Sequence, residues 1–196
     1  MPSKFLTHPV TVRNRGRLPH FEQPDAVYFI TFRLADSLPR HVAASLREER
    51  LALLRHARTA ADRIEIQRAF FLRVDEELDQ CRGECHLRDP RVAQLVVDAL
   101  RHFDGDRYRL ISYSVMPNHV HVIAQALGAQ SLARIVHSWK SYTSNEANAL
   151  LGRAGAFWQE ESFDHIVRDE EELARTIEYV RANPAKAGLK GWRFVF

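Results

Sequence analysis

Residues 108–126 read YRLISYSVMPNHVHVIAQA. Two runs rich in aromatic and β-branched residues, Tyr108 to Met116 and His119 to Ala126, are separated by Pro117 and Asn118. Pro breaks a ladder and Asn turns readily, so the stretch predicts an antiparallel hairpin. Side chains alternate faces along a strand, which sends His119 and His121 out together on one face and Val120 and Val122 onto the other. Two neighbouring imidazoles held by an aliphatic anchor make half of a divalent-metal site. The same pattern also describes two surface histidines on a half-buried strand.

Working outward, Ala26 to Leu34 (AVYFITFRL) reads as a third strand, apolar enough for a central position. Asp89-Pro90 is a helix start, with Asp as cap and Pro at the first helical position, and that helix runs to about Phe103. Ser131 opens a long helix through Leu151, with Leu132, Ile135, Val136, Trp139, Thr143 and Leu150 as its apolar stripe. Phe163 to Val167 reads as a short strand. Asp169 and Glu172 form a capping box before a last helix that runs to about Ala182, ahead of Asn183-Pro184. Trp192 to Phe196 reads as a further edge strand. Arg40 to Cys81 carries the pattern of two amphipathic helices that turn near Thr59, an insertion covering about 40–85. This order implies an α+β fold of ferredoxin-like kind, an antiparallel sheet with helices on one side, in a single domain over 26–196 behind a basic arm over 1–25.

The 196 residues suffice for one such domain, and a formal charge of +3 with a pI near 9.1 permits nucleic-acid binding without requiring it. The cations are unevenly placed. The chain through His20 holds Lys4, Arg13, Arg15 and Arg17 and no acid. Cys81 and Cys85 are too few for a disulfide framework and lack a second pair for a zinc site, so they read as free thiols in a reducing, cytoplasmic setting. No signal peptide and no membrane-crossing apolar run is visible, so no membrane partner is expected.

In the last helix Leu173, Ile177 and Val180 form the core stripe, and Tyr179 lies off it by roughly 100°. Asn183, four residues on, shares Tyr179's face. A phenol there can act as a nucleophile, and a carboxamide oxygen one turn away can join two imidazoles on a metal. Alternatively, Tyr179 packs at the edge of the core and Asn183 ends the helix. Tyr113 and Tyr142 are rival phenols for which core packing is expected.

Taken together, MPNHVHVI (116–123), FWQEESFDHIVRDEEEL (157–173) and IEYVRANPAKAGL (177–189) resemble the REP-associated tyrosine transposases of the HUH class. These are relatives of the small insertion-sequence transposases with one catalytic tyrosine. The resemblance runs from about Ala26 to Leu189. It implies that His119 and His121 are the paired histidines around a hydrophobic Val120, that Tyr179 is the nucleophile, and that Asn183 completes a site for Mg²⁺ or Mn²⁺. It further implies a 5′-phosphotyrosine intermediate with a free 3′-hydroxyl, and a substrate of single-stranded, hairpin-forming repeat DNA. The protein would act in the cytoplasm at the nucleoid, as a monomer or homodimer. Cations for the DNA would be Arg13, Arg15 and Arg17 on the arm, Arg134, His137 and Lys140 on the long helix, and Arg168 and Lys186 beside the site. Two other readings compete: a non-catalytic DNA- or RNA-binding regulator on the same kind of sheet, and a metal-dependent hydrolase that uses water.

Overall fold

The computed structural model describes residues 11–14, 19–128 and 130–196. A two-stranded antiparallel ribbon, β1 (Thr11–Asn14) and β2 (Pro19–Glu22), precedes the main sheet. The main sheet has four strands, all antiparallel: β3 (Val27–Arg33), β4 (Tyr108–Val115), β5 (His119–Ala126) and β6 (Phe163–Ile166). They lie in the order β4-β5-β3-β6, so β3 is internal, as its apolar sequence requires. The helices are α1 (Arg40–His56), α2 (Ala60–Asp79), α3 (Pro90–His102), α4 (Leu132–Leu150) and α5 (Glu170–Lys186). The expected α+β class and antiparallel sheet are present, and α1 and α2 form the expected helical pair between β3 and α3.

The layering differs from the expectation of helices on one side. Tyr28, Ile30 and Phe32 of β3 and Val120, Val122 and Ala124 of β5 meet Val92, Val96 and Leu100 of α3 and Ile135, Val136 and Trp139 of α4. Phe29 of β3 and Ile123 of β5 face the other way, toward Phe71 of α2 and Val180 of α5. Helices therefore cover both faces, because both faces of the two central strands carry large apolar residues, as internal strands buried on two sides do.

Local signals explain most helix ends. Asp89 caps α3 through the amide of Arg91, with Pro90 at its first turn. Thr59 and Asp62 form a reciprocal capping box on α2. On α5, Asp169 accepts from the Glu172 amide, but Glu172 accepts from the Arg168 amide rather than returning the bond to Asp169, so the expected box is half formed. The helix also does not stop at Ala182. It continues through Asn183 and Pro184 to Lys186, which places Asn183 inside the helix, one turn beyond Tyr179. Pro184 lacks an N–H, so one helical bond is forgone there.

Two details frame the site. The tight turn after α2 brings Gly83 against Asp36, where a Cβ would lie 2.6 Å from the Asp36 carbonyl oxygen, so only glycine fits. Residues 194–196 lie along the free side of β4, where Tyr113 and Phe196 exchange backbone hydrogen bonds of 3.2 and 2.9 Å and Val115 donates to the Phe194 carbonyl. The expected edge strand is thus a short backbone pairing at 194–196. Among the described residues, no helix is long and apolar enough to cross a membrane.

Candidate active site

The register of β5 against β3 sets Thr31 opposite His121 and Arg33 opposite His119, on the face covered by α2 and α5. Both imidazoles are fully buried, which rules out the surface-histidine reading. Each is held by its Nδ1. Asn118 Oδ1 lies 2.8 Å from His119 Nδ1, and its Nδ2 is committed to the Leu78 carbonyl at 3.0 Å, so Oδ1 must accept. Thr31 Oγ1 lies 2.8 Å from His121 Nδ1. Asn118 thereby places the His119 proton on Nδ1, whereas the Thr31 hydroxyl, able to donate or accept, orients the His121 ring; the two Nε2 atoms face each other 3.0 Å apart. Burial, and then the neighbouring His121, push the His119 pKa down to about 3, so its ring is neutral.

A third group enters from α2. Asp75 is 1% exposed, and its Oδ1 lies 3.2 Å from His121 Nε2 and 3.8 Å from His119 Nε2. Its other oxygen, Oδ2, accepts the hydroxyl hydrogen of Tyr179. Asn183, also fully buried, places its amide 3.1 Å from His121 Nε2. Asp75 Oδ1 and Asn183 Oδ1 receive no directed hydrogen bond. Tyr179 packs with its ring centroid 5.7 Å from His121 and edge-on to Phe29 at 6.0 Å. All five side chains belong to one chain, and the phenol sits one carboxylate away from the imidazole pair.

This donor set fits a metal ion. Buried acceptor atoms converge with almost no hydrogens among them, an arrangement that costs free energy unless a cation joins it. Asp75, His119 and His121 offer ligand atoms within 4.8 Å of one another. The 3.0 Å between the two Nε2 atoms is the spacing of neighbouring ligands around one ion at bonds of about 2.1 Å. Mixed nitrogen and oxygen donors suit Mn²⁺ better than Mg²⁺.

Electrostatics around the phenol follow from the same contacts. Burial opposes ionisation of Asp75, but His121 and His119 beside it prevail and hold it well below the usual carboxylate range. Burial, and then the charge of Asp75, push the Tyr179 hydroxyl well above an ordinary phenol. One turn along α2, burial and then Asp75 raise the pKa of Asp79, and Lys186 partners it at 3.4 Å. The Lys186 ammonium also lies 5.8 Å from the Tyr179 ring centroid.

The other expected residues are dispersed. Arg134 and His137 are exposed on α4. Lys140 donates at 2.6 Å to the carbonyls of Gln159 and Glu160. The cleft beside His137 and Lys140 also holds Glu22, Glu160, Glu161 and Asp164, so that face is less basic than its own helix suggests. Arg168 pairs with Glu172 at 3.5 Å ahead of α5. Of the arm, the backbone of Arg13 lies in β1, and Arg15 and Arg17 lie outside the described residues. Tyr113 is core and accepts from Arg101 at 2.9 Å. Tyr142 is 50% exposed rather than packed, on the helix that covers the face away from the histidines.

Asp75 was not among the residues the sequence singled out. A signal existed: Phe71, Asp75 and Leu78 follow i, i+4, i+7, so a carboxylate interrupts the buried stripe of α2. Leu78 is fully buried on this stripe, whereas Ile64 at the start of the helix is 45% exposed.

Comparison with known proteins agrees with this geometry. Residues 89–183 match the family described as Transposase IS200 like. Over that segment, just under half of its length, the chain is similar to the IS200-like transposases. The match begins after α1 and α2 and ends on Asn183, so it includes both histidines and Tyr179 and leaves Asp75 outside. A Haemophilus influenzae protein named as a REP-associated tyrosine transposase is 21% identical over 104 residues, 44% of this chain and 57% of that protein's length. The chain thus spans little more than half of that relative. Among solved structures, a REP-associated tyrosine transposase bound to a REP hairpin matches with a TM-score of 0.54 at 15% identity, covering 89% of this chain and 75% of that one. This likeness extends the shared fold across the sheet and its helices. A transposase from Deinococcus radiodurans R1 aligns at a TM-score of 0.34 and 14% identity over 87% of this chain and 98% of its own, which adds no weight.

Proposed function

We propose that this protein nicks and rejoins single-stranded DNA through a covalent bond to Tyr179, with a divalent ion, Mn²⁺ or Mg²⁺, on His119, His121 and Asp75 and with Asn183 as a further ligand. The observation that carries the reading is Asp75, whose two oxygens contact the imidazole pair and the Tyr179 hydroxyl. A single phosphate placed there touches both halves of the site.

In the reaction the Tyr179 oxygen attacks phosphorus, the bond from phosphorus to the 3′ oxygen breaks, and that oxygen leaves as a hydroxyl after taking a proton from solvent. Asp75 accepts the hydroxyl hydrogen and so aims the Tyr179 oxygen, and the phenolic proton passes to solvent as the oxygen attacks. A divalent ion held by His119, His121 and Asp75 would supply positive charge at the phosphate and favour the phenolate. Asn118 holds His119 in the tautomer that ligation needs, and Thr31 orients the His121 ring. The DNA–tyrosine ester keeps the energy of the broken bond, so a second 3′-hydroxyl can reverse the step without ATP. Asn183 presents Nδ2 to His121 here, and turning its amide over would present the partnerless Oδ1 instead.

The substrate class is taken from the solved relative bound to a REP hairpin. Arg13, Arg15, Arg17, Arg134, His137, Lys140, Arg168 and Lys186 are proposed phosphate contacts, and the Lys186 ammonium lies 5.8 Å from the Tyr179 ring centroid. A cytoplasmic, nucleoid-associated role goes with this reading.

The test is incubation with labelled single-stranded hairpins from the genomic flanks in Mn²⁺, followed by a denaturing gel. A DNA–protein adduct is expected, lost with EDTA and in Tyr179→Phe. Cleavage that persists in Tyr179→Phe would instead assign the attack to water. DNA binding indifferent to metal, with no cleavage, would support the regulator reading.

A further inference from the structure

Between the α1–α2 pair and the open ends of β3 and β6 lies a cleft of about 430 Å³, inside the ~300–1,000 Å³ range of small-ligand sites. Its walls combine Arg33, Arg47 and Arg50 with Phe70, Phe71 and Phe163. Three arginines stand against one lining carboxylate, Glu161. Phe71 and Phe163 stack with centroids 4.3 Å apart, and the Arg50 guanidinium lies 5.3 Å from the centre of the Phe70 ring. Phe70 and Phe163 are half-buried and Arg47 is exposed, so part of this aromatic and cationic surface is open. The cleft adjoins the candidate active site. Thr31 lines it and bonds His121, and Phe71 packs edge-on to the His121 ring at 6.4 Å.

We propose that this cleft takes one unstacked nucleotide flanking the scissile phosphate, its base against the phenylalanines and its phosphates toward Arg47 and Arg33. The proposal rests on the nuclease reading above. Single-strand binding pairs π-faces with cations in this way, since every base has a face to stack and a phosphate to neutralise. Arg33 is partly engaged by Ser37 and Arg50 by Gln67, yet the cleft keeps a cationic excess that an apolar ligand would not use, and a bare anion would leave the aromatic wall unused. The cleft is built largely by the inserted helices, so it gives this chain a reading surface that the segment matching the family lacks.

The test uses the wild-type chain in EDTA, so that nothing is cleaved. Single-stranded hairpins each carrying one 5-iododeoxyuridine are cross-linked by light and the adducts mapped by mass spectrometry. Adducts on Phe70, Phe71 or Phe163, from positions beside the nick, are expected. Adducts only on β1–β2 or α4 would overturn the proposal. In Mn²⁺, an abasic site at the mapped position should slow wild-type nicking about tenfold. Phe70→Ala should lose most of that discrimination, and an undiminished abasic penalty in this variant would also overturn it. Arg47→Ala, at an exposed position, keeps the fold and should lower the magnitude of the salt slope of DNA binding by about 0.7, with an unchanged slope counting against the proposed phosphate contact. Cross-links in the cleft without any nicking in Mn²⁺ would sink the nuclease reading alone.

Discussion

The two faces of the central sheet are built from the same strands and do opposite things. On the α3–α4 face, Val120 and Val122 join one large apolar cluster in which Trp139 bonds the Tyr108 hydroxyl at 2.8 Å and every neighbour is matched. On the α2–α5 face, the alternate residues of the same strand, His119 and His121, sit among a carboxylate, an amide and a phenol with oxygens left without partners. One face supplies the stability and the other spends it. Rigid support behind the histidines is what allows unfavourable groups to be held in place in front of them.

The contrast can be broken most severely from behind. Trp139→Ala removes a side chain only 2% exposed and should cost about 3–5 kcal/mol of unfolding free energy in urea titration, enough to threaten the fold. On the site face, Asp75→Asn should lower the urea midpoint far less than Trp139→Ala does, while Mn²⁺ affinity by calorimetry falls at least ~10–100-fold. A large loss of stability in that variant would mean that Asp75 is structural. Asn118→Ala should weaken metal binding about tenfold by releasing the His119 tautomer, and affinity equal to wild type would sink that assignment. The smallest effect concerns Lys140. Burial pushes its pKa down to about 8, below the ordinary 10.5 of the unfolded chain. Between those values the unfolded chain binds more protons, so stability should rise with pH from about 8 toward 10.5. Urea midpoints across that window should show the rise in wild type and lose it in Lys140→Met.

What the sequence revealed follows the same division. The strands and the histidine pair were legible because a period of two fixes which side chains share a face. Tyr179 and Asn183 were legible as an i, i+4 pair. Asp75 was hidden because α2 carries Glu76, Glu77 and Asp79 around it, and one acid among several reads as a solvated face until the packing is known. The covering of both faces was not legible for a related reason: Phe29 and Ile123 put apolar residues on the histidine side, and isolated apolar residues do not announce a second helical layer until the packing is known. The length of α5 was misjudged because Asn-Pro ordinarily terminates, whereas here the helix gives up one bond and keeps the amide facing inward.

The pairing of residues 194–196 with the outer strand has a practical side. Without it β4 would offer a bare row of amides and carbonyls to any passing chain, the usual starting point for intermolecular sheet growth. Variants that lack residues 194–196 should therefore lose solubility while the histidine pair on β5 stays in place.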